Sequence, residues 1–228
     1  MSSPYDNLPS ERFWRTGVAE QQPSSVQNLY RKRFALGPQD RIATAGSCFA
    51  QHIARNLSAN GHRVLDAEPA PRGMSSKSAH RFGYGVYSAR YGNIYHTRRL
   101  LQLVQEVKGR FQPEDWIWEK NGRWYDALRP GVEPDGLATK AEVVAMRAAH
   151  LIRVKKLFKE MTVFVFTMGL TEAWVHRPSG TVYPLGPGTL CGEYDPGVHA
   201  FVNFTHKQVV DDFSATRELL RSFNPNLK

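Results

Sequence analysis

A hydrophobic run, Arg41-Ile42-Ala43-Thr44-Ala45, leads into Gly46-Ser47-Cys48 and then into a helix-like segment, so a hydroxyl and a thiol stand side by side at a strand-to-helix junction. Glycine permits the sharp reversal such a junction needs. Serine can cap the helix that follows, and the backbone N–H groups beyond it face the same point in space. That point can hold a nucleophile or an anion. Ser47 can attack an acyl carbonyl, or it can be a cap only, worth about 1 kcal/mol and no catalysis. A thiol in the first turn of a helix ionises more readily, which makes Cys48 a second candidate nucleophile; its other reading is a small, buried packing residue.

The elements that must position these groups are legible from spacing. Phe49, Ile53 and Leu57 repeat every fourth residue, which predicts a helix with one buried stripe, ended by Gly61. His62-Arg63-Val64-Leu65 then reads as a second strand, so residues 41 to 65 form a strand–helix–strand unit with a right-handed crossover. Thr97 can cap a helix whose apolar face is Leu100, Leu101, Val104 and Val107. Asn121-Gly122, between alternating segments, predicts a type I′ hairpin that presents Trp116, Trp118 and Trp124 either to sugar rings or to the core. Thr139 caps a long helix through Val143, Val144, Met146, Leu151, Val154 and Phe158, and Thr162 to Thr167 is an unbroken apolar strand, expected to be buried on both faces. Beyond it come Met168 to Trp174, a turn at Pro178-Ser179-Gly180, a Gly/Pro-rich loop and a last helix from about Lys207 to Phe223. Residues 66 to 88 are irregular, a candidate substrate-binding loop or a surface loop. Residues 1 to 40 form an irregular arm with Phe13, Trp14, Phe34 and Leu36 as anchors. The alternation of strand and helix predicts an α/β fold around a mostly parallel sheet, with a small β-hairpin excursion.

Bulk properties narrow the function. A chain of 228 residues can bury one sizeable core, and no linker divides it. The net charge of +9 and pI near 9.7 suit an anionic partner, but the basic residues are dispersed, which argues against nucleic-acid recognition. Two cysteines and no charged-then-apolar leader predict no disulfide framework and a cytoplasmic protein. The longest apolar run, Met161 to Met168, is of strand length, so no membrane span is expected. No Cys/His cluster has zinc spacing, and Gly83-x-Gly85 and Gly186-x-Gly188 lack the rest of a nucleotide motif, so no metal or other cofactor is expected.

In open parallel sheets, ligands bind beyond the carboxyl ends of the strands. Two loops qualify: Gly46-Ser47-Cys48, and Gly169-Leu170-Thr171-Glu172, which adds a backbone amide, a hydroxyl and a carboxylate. Together they make an acyl-transfer toolkit. Gly46-Ser47-Cys48-Phe49-Ala50 spells the signature of the GSCFA family. Tyr91-Gly92-Asn93-Ile94-Tyr95, Gly169 to Trp174 and His199-Ala200-Phe201-Val202-Asn203-Phe204-Thr205 also resemble that family, in order, over residues 41 to 228. The resemblance implies a fold similar to the SGNH or GDSL hydrolases, a three-layer α/β/α sandwich (flavodoxin-like), with Ser47 attacking an ester carbonyl, possibly of an acylated carbohydrate. It further implies oxyanion donors from the Ser47 amide, from Gly92 and from a third block. There Thr171 replaces the usual asparagine and is followed by Glu172, so Asn93 is a candidate for the missing amide.

The aspartate and histidine of such a triad belong to a late block, and no Asp-x-x-His occurs in the last part of this chain. Among eight histidines, His199 is the best in-chain candidate for the base, by its motif-like loop, whereas His206 reads as a cap for the last helix. The interrupted alternation at Asn224-Pro225-Asn226-Leu227-Lys228 leads to the expectation that a final strand and the last catalytic block are missing. The reading from another class is a non-catalytic module that holds an anionic polysaccharide or phosphate at the helix start after Ser47.

Overall fold

The computed structural model describes residues 3–228, and the chain divides into two units, Met1–Gly37 and Pro38–Lys228. The first contains a 3₁₀ turn at Ser10–Arg12 and a π-helical turn at Arg15–Ala19, tied together by the Thr16 hydroxyl donating to the Ser10 carbonyl at 2.7 Å. The aromatic residues expected as anchors here stay exposed, Trp14 by 76 % and Phe34 by 51 %.

In the second unit, β1 (Arg41–Gly46) is flanked by β2 (Arg63–Val64) and β5 (Val163–Thr167) in a parallel sheet of order β2-β1-β5. The register pairs Gly46 with Thr167, which brings the carboxyl ends of β1 and β5 level. The expected strand–helix–strand unit is present, with α1 at Cys48–Ala59. Its apolar stripe is not buried. Phe49 is 62 % exposed, and it borders an open groove with Ile53 and Leu57. Small side chains explain this: Ala50 joins Ala43 and Ala45 in the core, so the helix docks through alanine and leaves its larger residues outside.

The core continues through α3 (Thr97–Val107) and α4 (Lys140–Glu160), with Leu100, Leu103, Val104, Val154, Leu157 and Phe158 all nearly inaccessible. Thr139 caps α4 in a capping box with Glu142, as its spacing predicts. At α3 the cap is His96, and Thr97 lies inside the helix. The last helix, α5 (His206–Arg221), is capped by Thr205 with Gln208, so His206 is its first residue and not its cap. β5 is only half-buried at Phe164, Val165 and Phe166, so it is not covered on both faces as its apolar run predicts; one of its edges pairs with β1 and the other meets the backbone of Lys228 at Thr162 and Phe164.

The hairpin β3 (Ile117–Lys120) and β4 (Arg123–Asp126) turns at Asn121-Gly122 with φ of 53° and 71°, the left-handed pair that this turn requires. Its tryptophans are packed: Trp118 is 5 % exposed against Tyr183, and Trp124 lies under the Lys140 ammonium. The segment read as turn and loop after β5 holds an antiparallel sheet of order β7-β6-β8, formed by β6 (Glu172–His176), β7 (Val182–Tyr183) and β8 (His199–Asn203). One short helix, α2 (Ser76–Arg81), interrupts the irregular stretch of residues 66 to 88. No described helix is long and apolar enough to cross a membrane.

Buried charge ties these parts together. Arg147 on α4 is 3 % exposed and holds Glu106 of α3 by two hydrogen bonds and Asp126 of β4 at 3.0 Å. Burial alone would raise Asp126, but the Arg147 and Arg129 guanidiniums outweigh it and hold the carboxyl well below the usual range. Arg147→Leu strands Glu106 and leaves Asp126 with Arg129 alone, so urea unfolding should show a loss near the lower end of the ~3–5 kcal/mol typical of a broken buried pair. A second buried pair, His150 Nδ1 donating to Glu68 at 2.7 Å, sits nearby. Burial and the neighbouring Arg129 push His150 down to about 4, so it is neutral at pH 7.

Candidate functional site

Three loops converge at the carboxyl ends of β1 and β5. Gly46 has φ of +133° and lies so close to β5 that a Cβ there would stand 2.5 Å from the Thr167 carbonyl oxygen. Only glycine fits. The Gly46 carbonyl accepts from Ile94 N–H at 2.9 Å, and the Tyr95 carbonyl accepts from both Gly169 N–H (3.0 Å) and Leu170 N–H (3.1 Å). A Cβ on Gly169 would sit 3.2 Å from the Tyr95 ring and 3.5 Å from Ser47 Cβ. Ser47, Asn93-Ile94-Tyr95 and Gly169-Leu170 therefore share one rim of the sheet.

Ser47 is half-buried, with the extended backbone of a helix N-cap (φ −79°, ψ 178°), and its Oγ accepts a long bond from Phe49 N–H at 3.4 Å. Its closest side-chain partner is Thr167, whose Oγ1 lies 3.2 Å from Ser47 Oγ and accepts from Ser47 N–H at 3.0 Å. Spacing gave no hint of Thr167, yet its position was recoverable: it ends the strand paired with the strand that delivers Ser47. Cys48 is exposed, which corrects its reading as a buried packing residue.

Several backbone amides at this rim are already hydrogen-bonded within the protein. The Ser47 amide is engaged by Thr167, and the Gly169 and Leu170 amides by the Tyr95 carbonyl. Gly92 (φ +66°) and Asn93 line a cavity of about 240 Å³ that begins one helical turn from Ser47, at Gln51, and also includes Tyr87 and Tyr95. Asn93 donates through Nδ2 to Tyr95 Oη at 2.7 Å. Thr171 is exposed beyond Gly169 and gives its carbonyl to Phe204 N–H, while Glu172 opens β6 with an exposed side chain and a carbonyl bonded to His96 Nε2 at 2.6 Å.

His199 lies elsewhere. It pairs with His176 at the end of β6 opposite to Glu172, four residues along, or about 13 Å. Its Nδ1 accepts from Asp195 N–H at 3.1 Å and its Nε2 meets Asp115 at 3.0 Å, inside a nest of Trp118, Tyr183 and Tyr194 rings. With both nitrogens engaged, the imidazole has no free lone pair for a serine proton. Among the described residues, no imidazole or carboxylate bonds to Ser47 Oγ.

The GSCFA family model matches residues 41–228, from the first residue of β1 to Lys228. The chain belongs to the GSCFA family. The signature for which that family is named is the strand-to-helix turn just described, with Gly46 forced by β5 and Ser47 capping α1. No curated protein and no solved structure matches the chain.

Proposed function

We propose that this GSCFA protein is a serine-dependent esterase or O-acyltransferase whose Ser47 takes the acyl group of a small ester, such as an O-acylated carbohydrate, and passes it to water or to another hydroxyl. The observation that carries this reading is the convergence of the loops after β1 and β5 and of Asn93–Tyr95 around a half-buried serine, one helical turn from a cavity that Asn93 and Tyr95 also line. In this reading the parallel sheet is the middle layer of an α/β/α sandwich similar to the SGNH hydrolases, with α1 on one face and α3, α4 and α5 on the other. Attack by Ser47 Oγ on the carbonyl carbon expels the alcohol, and in this reading Asn93 Nδ2, with one proton on Tyr95 Oη and a second to give, is the donor for the developing oxyanion. The Thr167 hydroxyl can relay the serine proton but cannot keep it, so the reading calls for slow turnover unless solvent or substrate supplies a base.

That same missing base favours a second reading, a module that binds without catalysis. A chromogenic acetyl ester separates the two. Release of the chromophore by wild type, above buffer and above Ser47→Ala, supports the acyl-serine reading; equal, background-level rates leave only binding.

A further inference from the structure

The cavity beside Ser47 carries a hydrogen-bond chain with one polarity. Arg55 donates to Gln51 Oε1 at 3.4 Å, which turns the Gln51 amide nitrogen toward Tyr87 Oη at 3.2 Å. Tyr87 then donates to Asn93 Oδ1, and Asn93 Nδ2 donates to Tyr95 Oη at 2.7 Å. A phenol has one proton, and Tyr87 has spent its own. The Tyr95 proton finds no acceptor among the described residues, so a chain that begins at a guanidinium ends in an unused donor on the cavity wall. Each link polarises the next. Burial holds the Tyr95 phenol above its ordinary pKa, which keeps that proton in place at neutral pH.

The lining also carries apolar side chains, Val132 and Leu185 among them. Charge is nearly absent from the lining. Arg129 is matched by Asp126 at 2.8 Å, and His80 is exposed. An anion placed here would be desolvated without a free counter-charge, and an alkyl chain would strand the Tyr95 and Asn93 protons. About 240 Å³ lies below the roughly 300–1,000 Å³ of drug-sized ligand sites, which leaves room for a single ring.

We propose that this cavity binds one neutral, hydroxyl-bearing ring, a pyranose or similar polyol, which accepts a hydrogen bond from Tyr95 Oη and lays its C–H face on Val132 and Leu185. That this ring is the alcohol part of the ester rests on the Ser47 reading; the binding itself does not.

The test uses the full chain carrying Ser47→Ala, with ligand-observed NMR titration of three probes: a methyl mono-O-acetyl-hexopyranoside, its uronic acid counterpart, and cyclohexyl acetate. The glycoside should bind at roughly millimolar affinity and about fivefold or more tighter than either other probe. Adding Tyr95→Phe should weaken it about fivefold to tenfold. Gln51→Met keeps every cavity hydroxyl but cuts the chain at its head, and it should weaken binding in the same direction. Equal affinity for cyclohexyl acetate, tightest binding of the uronate, or glycoside affinity unchanged in both variants would overturn the proposal. Glycoside binding with no ester turnover by wild type sinks the Ser47 reading alone, and turnover with no glycoside binding sinks the pocket alone.

Discussion

Ser47→Ala should cut acetyl-ester turnover by at least about 10³-fold, because a covalent route loses its nucleophile while Asn93, Tyr95 and the cavity remain in place. The fold should barely register the change. The cap bond to Phe49 N–H is long, at 3.4 Å, and the Ser47 amide still reaches Thr167, so about 1 kcal/mol is the most that helix capping can lose. For a chain of this size that is a fall of about 2–4 °C in melting temperature. Initial rates and a thermal melt on the same preparation check both parts. A variant that loses rate and unfolds together would reveal a structural serine.

Gly46→Ala should be the most damaging single substitution in the sheet. The new Cβ would meet Thr167 Oγ1 at 2.4 Å, its carbonyl oxygen at 2.5 Å and its amide nitrogen at 2.8 Å, on a backbone at φ +133° that side chains rarely adopt. Strained backbone costs about 1–3 kcal/mol and forced overpacking about as much again, so a loss of about 2–6 kcal/mol is expected in urea unfolding. Removing the Thr167 hydroxyl offers little relief, because two of the three contacts are with main chain. The double variant Gly46→Ala, Thr167→Ala should therefore stay nearly as unstable as the single one, and full rescue by Thr167→Ala would show that the side chain, not the strand, excludes a Cβ.

The sequence announced the β1-α1-β2 unit because glycine, an N-cap serine and a fourfold apolar repeat all agree on it. Periodicity shows that a helix is amphipathic, not what covers it, and so Phe49 and Leu57 were read as buried when alanines do the docking. The β6–β8 pairing is not legible because Glu172 to His176 and His199 to Asn203 are five-residue strands distant in the chain, each with a single valine and with polar or charged residues at both ends. Their alternation was the available signal. The Gln51–Tyr87–Asn93–Tyr95 chain was illegible for another reason: four ordinary polar residues acquire a direction only when α1 and the loop before α3 are folded together. Ser47 was visible because its chemistry depends on local spacing. Its proton acceptor was not, since that depends on side chains brought together from distant segments.

The most direct measurement is the site of the acyl group itself. Protein mixed with an activated acetyl ester, quenched in acid within the first turnovers and digested, should yield the Gly46–Ala50 region heavier by one acetyl group, with fragmentation placing it on Ser47 and with no such adduct in Ser47→Ala. An acetyl group on Cys48, or an unmodified peptide while chromophore is still released, would contradict the account.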